Sequence, residues 1–378
     1  MINETRLVDL FLNLCKINAP ALAEKESVAW TKEFLLSHGL EVMEDEAGKE
    51  IGGNANNLIV KFPGNLPDAP KVYLSAHFDT VEPTEGIEIE EVDGVFRATS
   101  DTILGADDKG GMAPAIEAVL TLKELGEPCG DVYLLLTVAE EIGLQGAGAL
   151  KIEDLDVDFG YVLDTGPPVG SYVTRTANHD KLDITVKGVP AHAGKDPENG
   201  INAIQVVAEA VSGMKLGRID AETTANMGLI EGGTATNVVC AQVRIKAEAR
   251  STNPDTLDAQ IAHMKERFVD AARNWGAEVE FNHVRHYRSY DIEAETPVVQ
   301  AAQQASRNLG LDPALRTTLG GSDANVFNAK GIPSIVIATG MQKIHTHDEF
   351  ISRVDLVKTA ELTLEILRVV SKMSRKTL

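Results

Sequence analysis

VYLLLTVAEEIGLQG, residues 132–146, decides how the rest of the chain is read. Its first seven residues form an apolar run of the kind that a strand buried on both faces of a sheet carries. Glu140 and Glu141 follow at once. Two adjacent carboxylates at a strand end repel each other, and a cation, most simply a metal, is what absorbs the charge. An acidic pair is also what an ordinary solvated turn carries. The choice therefore rests on what stands at the other strand ends.

Working outward, residues 57–62 and 72–76 read as strands, and the second delivers His77-Phe78-Asp79. LGADDKGGMA, residues 104–113, is a glycine-rich turn into a helix over 109–125, so Asp107 or Asp108 stands at that turn. Residues 160–163 form another apolar strand, ending at Asp164, and 334–339 form one more, followed by His345 and His347. Residues 87–98 alternate around Asp93-Gly94, a hairpin signal. Helical spacing marks residues 3–16, with Leu7, Leu10, Phe11 and Leu14, and residues 23–38, with Val28, Phe34 and Leu35. A short strand over 41–43 and helices over 297–309 and 354–371 complete this half. Strand, turn and helix in repetition predict an α/β fold, a mixed sheet flanked by helices, with sites at the strand ends.

The rhythm changes between residues 177 and 288. Strands at 181–187, 238–248 and 279–284 alternate with helices at 201–215 and 254–275, which predicts a smaller α+β domain inserted into the first. The expected division is thus 1–176 with 289–378 for the larger domain and 177–288 for the insertion.

Composition excludes several function classes. At 378 residues the chain is long enough for more than one domain, and 43% hydrophobic with 24% charged residues is a globular balance. Lys and Arg total 35 against 57 Asp and Glu, a net charge of -22, which neither nucleic acid nor an anionic membrane attracts. No stretch approaches the ~20 apolar residues of a membrane span. Cys15, Cys129 and Cys240 show no paired spacing and read as reduced thiols near the core. Residues 1–17 lack the pattern of a secretory leader, so a cytoplasmic protein is expected.

His and carboxylate donors suit a hydrolytic metal, because they hold zinc while leaving it Lewis acidic. The candidates all follow separate strands: His77, Asp107 or Asp108, Glu140, Glu141, Asp164, and His345 or His347. Asp79, two residues beyond His77, supplies the carboxylate that a metal-bound imidazole commonly has on its second nitrogen. The remaining histidines, His38, His179, His263, His283 and His286, read as solvated or structural.

SAHFDTV, LGADDKGG, TVAEEIG, YVLDTG, LGGSDANVF and HTHDEF, in this order, resemble the co-catalytic zinc exopeptidases. That family includes carboxypeptidase G, aminoacylase, succinyl-diaminopimelate desuccinylase and peptidase T, whose branch is the nearest in motif. The resemblance covers nearly the whole chain. It implies a di-zinc catalytic domain interrupted by a lid that often makes a dimer contact, with cobalt or manganese as possible substitutes. His77, Asp107 and Asp164 would hold one metal and Asp107, Glu141 and His345 the other. Asp79 would orient His77, and Glu140 would be the general acid and base. His345 is preferred to His347 because the family's ligand precedes a glutamate by four positions, here Glu349. His192 in VPAHAGKDPENGINA would be an oxyanion donor reaching a partner subunit's site. Asn237, Arg250, Gly321 and Ser322 would bind substrate, a short peptide or an acylated amino acid. The lid segment around His192 is closer to the carboxypeptidase forms, which keeps an amidohydrolase acting on N-acyl amino acids open beside an aminopeptidase. A binding protein that has lost turnover is the alternative of another class; it would usually lack a ligand or base, and none is missing here.

Overall fold

The computed structural model describes residues 1–378. In chain order the first part runs α1 (Glu4–Lys16), α2 (Lys25–Ser37), β1 (Glu41–Glu44), α3 (Ala47–Ile51), β2 (Leu58–Phe62), β3 (Val72–His77), β4 (Ile89–Val92), β5 (Val95–Ala98), α4 (Ala106–Leu125), β6 (Val132–Thr137), α5 (Gln145–Ala149), β7 (Phe159–Thr165) and β8 (Tyr172–Arg175). The middle comprises β9 (Asn178–Lys187), α6 (Ala203–Ser212), β10 (Gly217–Arg218), β11 (Thr223–Gly232), β12 (Gln242–Ser251), α7 (Pro254–Trp275) and β13 (Glu278–Tyr287). The last part is α8 (Pro297–Asn308), β14 (Leu315–Thr317), α9 (Asp323–Ala329), β15 (Ser334–Ala338), β16 (Phe350–Ser352) and α10 (Arg353–Val370). Two compact units result: Met1–Thr174 with Tyr290–Thr317 and Ser322–Leu378, and Arg175–Ser289 with Thr318–Gly321.

The first unit is built on an eight-stranded sheet of order β1-β2-β6-β3-β7-β15-β8-β14. Its middle strands β6, β3, β7 and β15 are parallel, whereas β2 and β8 flank them antiparallel. This is the mixed α/β sheet expected from the apolar runs. Every residue of β3 and β6 is buried because both faces are covered. Side-chain alternation divides each run between two cores. Val72, Leu74, Ala76, Leu134, Leu136, Tyr161 and Leu163 face the layer that holds α1, α4, α8 and α10. Tyr73, Leu135, Val162 and Val336 face the opposite core with Phe327 of α9. At about 1.5–3 kcal/mol for each large apolar side chain removed from water, these two layers dominate the stability of the unit.

Local chemistry sets the helix ends. The Asn3 side chain caps α1 by accepting the Arg6 N–H, and Leu7, Leu10, Phe11 and Leu14 form its buried stripe. α4 packs so closely on β7 that a Cβ at Gly111 would lie 1.9 Å from the Leu163 carbonyl oxygen, which leaves room only for glycine. All three cysteines are buried and unpaired. No helix is long and apolar enough to cross a membrane.

The second unit is an antiparallel sheet of order β10-β11-β12-β9-β13 with α6 and α7 on its apolar face. Leu182, Ile184 and Val186 of β9 and Val243, Ile245, Ala247 and Ala249 of β12 point into that core, while the residues that alternate with them are exposed or half-buried. Here the sequence reading needs two corrections. Residues 223–232 form a full strand that the apolar pattern missed, since most of its second half is exposed and carries no alternation. The strand read as 238–248 begins only at Gln242, so residues 233–241 form a connection.

Candidate metal centre

Four parallel strands place their carboxyl ends on one edge of the sheet, which is where an open α/β sheet gathers its ligands. His77 is the last residue of β3, and Asp164 lies at the end of β7. Glu140 and Glu141 follow β6 in a turn that Ala139 enters with φ +52. The segment after β15 carries His345, itself left-handed at φ +63 and 49% exposed on its side chain. Asp107 opens α4 with non-helical backbone, and its peptide to Asp108 is cis.

The side chains converge. Asp107 lies between two imidazoles, with Oδ1 3.3 Å from His77 Nε2 and Oδ2 3.2 Å from His345 Nε2. The same His345 nitrogen is 3.2 Å from Glu141 Oε1. Three sets of donor atoms, each within 4.8 Å of one another, result: His77, Asp107 and Asp164; His77, Glu140 and Glu141; Asp107, Glu141 and His345. His347 stands apart, with Nδ1 2.9 Å from Asp101. Asp108 also stands apart; its Oδ2 accepts the His77 N–H at 3.3 Å, and its buried Oδ1 has no partner.

Asp79 does more than its position in the sequence foretells. The His77 Nδ1 is 3.0 Å from the Asp79 backbone carbonyl and 3.4 Å from its carboxylate. That carboxylate accepts the Glu140 and Glu141 N–H groups, both at 2.9 Å, and so ties the β3 end to the β6 end. Other buried supports went unread in the sequence. Lys109 donates to the Phe78 carbonyl, and Glu24 accepts the Ala139 N–H at 2.9 Å. Asp323 accepts from the Thr137 hydroxyl at 2.6 Å, and Glu349 accepts from Gly105 N at 2.7 Å and Asp107 N at 2.9 Å. Lys109, Asp323 and Glu349 had a sequence signal, through their places in DDKGG, LGGSDANVF and HTHDEF.

The electrostatics of the cluster call for a cation. Burial pushes Glu140 well above the carboxylate range, and Asp323, Glu141 and Asp79 add to it against the pull of His77. Burial does the same to Asp164, with Asp107, Asp108 and Glu140 reinforcing it. Burial opposes the charge on His77, yet hydrogen bonds to Asp107 and Asp79 hold its imidazole well above the usual range. His345 is raised to about 10 by its hydrogen bonds to Asp107 and Glu141. Burial also works against the Asp107 charge, but His345 and His77 more than offset it and keep the carboxyl low. Imidazole and carboxylate donors packed this closely form a set that a divalent ion would neutralise, and that donor chemistry suits zinc, cobalt or manganese. The residues fit such a group.

The other expected site residues belong to the second unit or its border. His192 and Asn237 lie on exposed neighbouring segments, joined by a β-bridge from His192 to Val238 and by Ala193 N to Asn237 O at 2.9 Å. Arg250, on β12, gives Nε and Nη2 to Glu248 at 3.1 and 3.0 Å, and Nη1 to the Tyr287 hydroxyl and Leu319 carbonyl, both at 3.3 Å. A Cβ at Gly321 would sit 2.3 Å from the Tyr287 ring, so only glycine lets that loop pass. Ser322 is the N-cap residue of α9, and its N–H donates to Asn325 Oδ1 at 3.1 Å.

Comparison with known proteins adds independent information. The sequence profile described as peptidase family M20/M25/M40 matches residues 73–369. An uncharacterized Bacillus subtilis protein, YqjE, is 39% identical over 98% of this chain and 100% of its own. Peptidase T of Fusobacterium nucleatum is 25% identical over 97% of this chain and 88% of its own. Among solved structures, aminopeptidase PepT from Bacillus cereus is similar at 40% identity and TM-score 0.89, covering 98% of this chain and 100% of that one. A Staphylococcus aureus tripeptidase is 38% identical with TM-score 0.93, covering 99% and 100%.

Proposed function

This chain belongs to peptidase family M20/M25/M40 and is a metal-dependent hydrolase, and from that premise we propose a di-zinc aminopeptidase that removes the first residue of short peptides. The observation that carries the proposal is the shared position of Asp107, which belongs to two three-donor sets at once. His77, Asp107 and Asp164 would hold one ion, and Asp107, Glu141 and His345 the other. The ions, when bound, supply Lewis acidity toward a carbonyl and toward water.

The chain's own residues do the rest. Glu140 is buried beside both donor sets, and the third set it forms with His77 and Glu141 borrows a ligand from each of them, so Glu140 is the carboxylate left over for proton transfer. Its carboxylate takes a proton from the attacking water and passes it to the leaving nitrogen. Asp79 fixes where that carboxylate stands by holding the Glu140 and Glu141 N–H groups. His192 donates to the developing oxyanion, which an exposed imidazole can do across a homodimer built through the second unit. Arg250 grips the carboxylate at the far end of the peptide through its planar fork, with Asn237, Gly321 and Ser322 lining the way.

The likeness to an aminopeptidase and a tripeptidase near 40% identity supports peptides over other amides. Metal-stripped protein reloaded with zinc, cobalt or manganese, then assayed on tripeptides, dipeptides and N-acetyl amino acids, tests the reading. Turnover of unblocked tripeptides is expected. Activity on acylated amino acids alone would replace the aminopeptidase with an amidohydrolase, and none on any substrate would favour a binding protein.

A further inference from the structure

We infer that Glu349 is a positioning residue for one metal site of the pair, holding Asp107 and His345 at the separation that their shared ion requires. The inference rests on reading Asp107, Glu141 and His345 as one ligand set. Glu349 is 1% exposed and lies four residues beyond His345. Its two carboxylate oxygens take different N–H groups, Oε2 that of Gly105 at 2.7 Å and Oε1 that of Asp107 at 2.9 Å. These donors open α4, whose N-cap Gly105 is left-handed at φ +75 and offers no side chain of its own. A carboxylate brought from 242 residues away therefore does the work of a helix cap.

A cap alone would not need to come from this segment. The bridge between Gln342 and Phe350 closes the loop that bears His345, and Glu349 sits just inside it. The Glu349 N–H also donates to the Thr346 carbonyl at 3.1 Å, so the side chain's anchor is rigid with respect to the loop. Glu349 thus fastens the His345 loop to the Asp107 backbone directly. His77 and Asp164 have no such dependence, since each stands at the end of a buried parallel strand. Loss of Glu349 should therefore weaken the site that contains His345, which loses the support of both Asp107 and the loop, more than the site of His77 and Asp164, which shares only Asp107.

Metal-stripped wild type, Glu349→Ala, Glu349→Gln and His345→Ala, titrated with zinc by calorimetry and counted by elemental analysis after desalting, test this. Circular dichroism and melting of the stripped proteins serve as the control for folding. Wild type should hold two ions, and His345→Ala one. Both Glu349 variants should weaken the site that contains His345 about tenfold or more, the usual loss when a residue supporting a ligand is removed, and the site of His77 and Asp164 much less. Gln should lose less than Ala, since its amide oxygen still accepts one of the two N–H groups. Equal weakening at both sites would reduce Glu349 to a fold-stabilising cap, and two ions held as in wild type by both variants would overturn the inference outright. Retention of two ions by His345→Ala would instead overturn the ligand reading beneath it.

Discussion

The two units treat their chemically important side chains in opposite ways. In the first, the donors other than His345 are largely shielded, at the ends of parallel strands or, for Asp107, at the start of α4, and nearly every loop that carries one is fastened by another buried side chain. In the second, His192 and Asn237 are exposed on a connection, and Arg250 is half-buried with its fork already turned to Glu248. The contrast follows from charge. Carboxylates crowded out of water repel one another, so backbone must hold them against that repulsion until a cation arrives. Residues that meet a substrate can remain hydrated until it binds.

The largest effect that sharpens this contrast concerns Glu140. Glu140→Ala should lower kcat about 10²–10⁴-fold, the range for loss of general acid–base catalysis, while elemental analysis still finds two ions. Loss of an ion in that variant would move Glu140 from proton transfer to ligation. Asp79→Asn comes next. Because Asp79 holds the His77 ring and two N–H groups of the acidic turn, metal affinity should fall about 10–100-fold, read by competition with a chelator. An unchanged affinity would mean that the strand ends alone organise the centre.

In the second unit, Arg250→Ala should raise KM about tenfold for peptides with a free carboxylate, as expected from losing a charge-assisted hydrogen bond, and leave peptide amides unaffected. Equal changes for both substrates would break the assignment of Arg250 to the carboxylate.

The smallest effect is on stability. Burial, with Lys181, His179 and Arg250 nearby, lowers His286 to about 4, whereas an unfolded chain would titrate near ~6.5. Below about pH 6.5 the unfolded state binds a proton that the folded state refuses, so stability present at pH 7 is lost as pH falls toward 4. Glu248, held at about 2 chiefly by its hydrogen bond from His179 and then by Arg250 against burial, acts with the same sign at lower pH. His286→Asn should flatten the fall in urea midpoint between pH 7 and pH 5. An unaltered fall would assign that loss to other groups.

Much of the first unit was legible because its strands are buried on both faces, which forces apolar runs such as residues 72–76 and 132–138. β11 was not legible, since a strand with one solvated face and an exposed end carries no such run. The donors were legible as types at strand ends, and His345 separated from His347 only through the resemblance. In the structure, one faces Asp107 and Glu141 and the other Asp101. Glu24 and the work of Asp323 and Glu349 were hidden, because their partners are backbone groups or a hydroxyl between 115 and 244 residues away.

By itself, the order of residues determined that His77, Glu140, Glu141 and Asp164 would stand at or just beyond the ends of buried strands, since apolar periodicity and strand ends are local properties of a chain. Only the tertiary structure decided that these ends share one edge, that Asp107 stands between His77 and His345, and that Asp79 and Glu349 hold the loops there. The physical reason is that a parallel sheet sets its strand order through crossovers and long-range backbone pairing, and neither leaves a periodic mark on the residues it brings together.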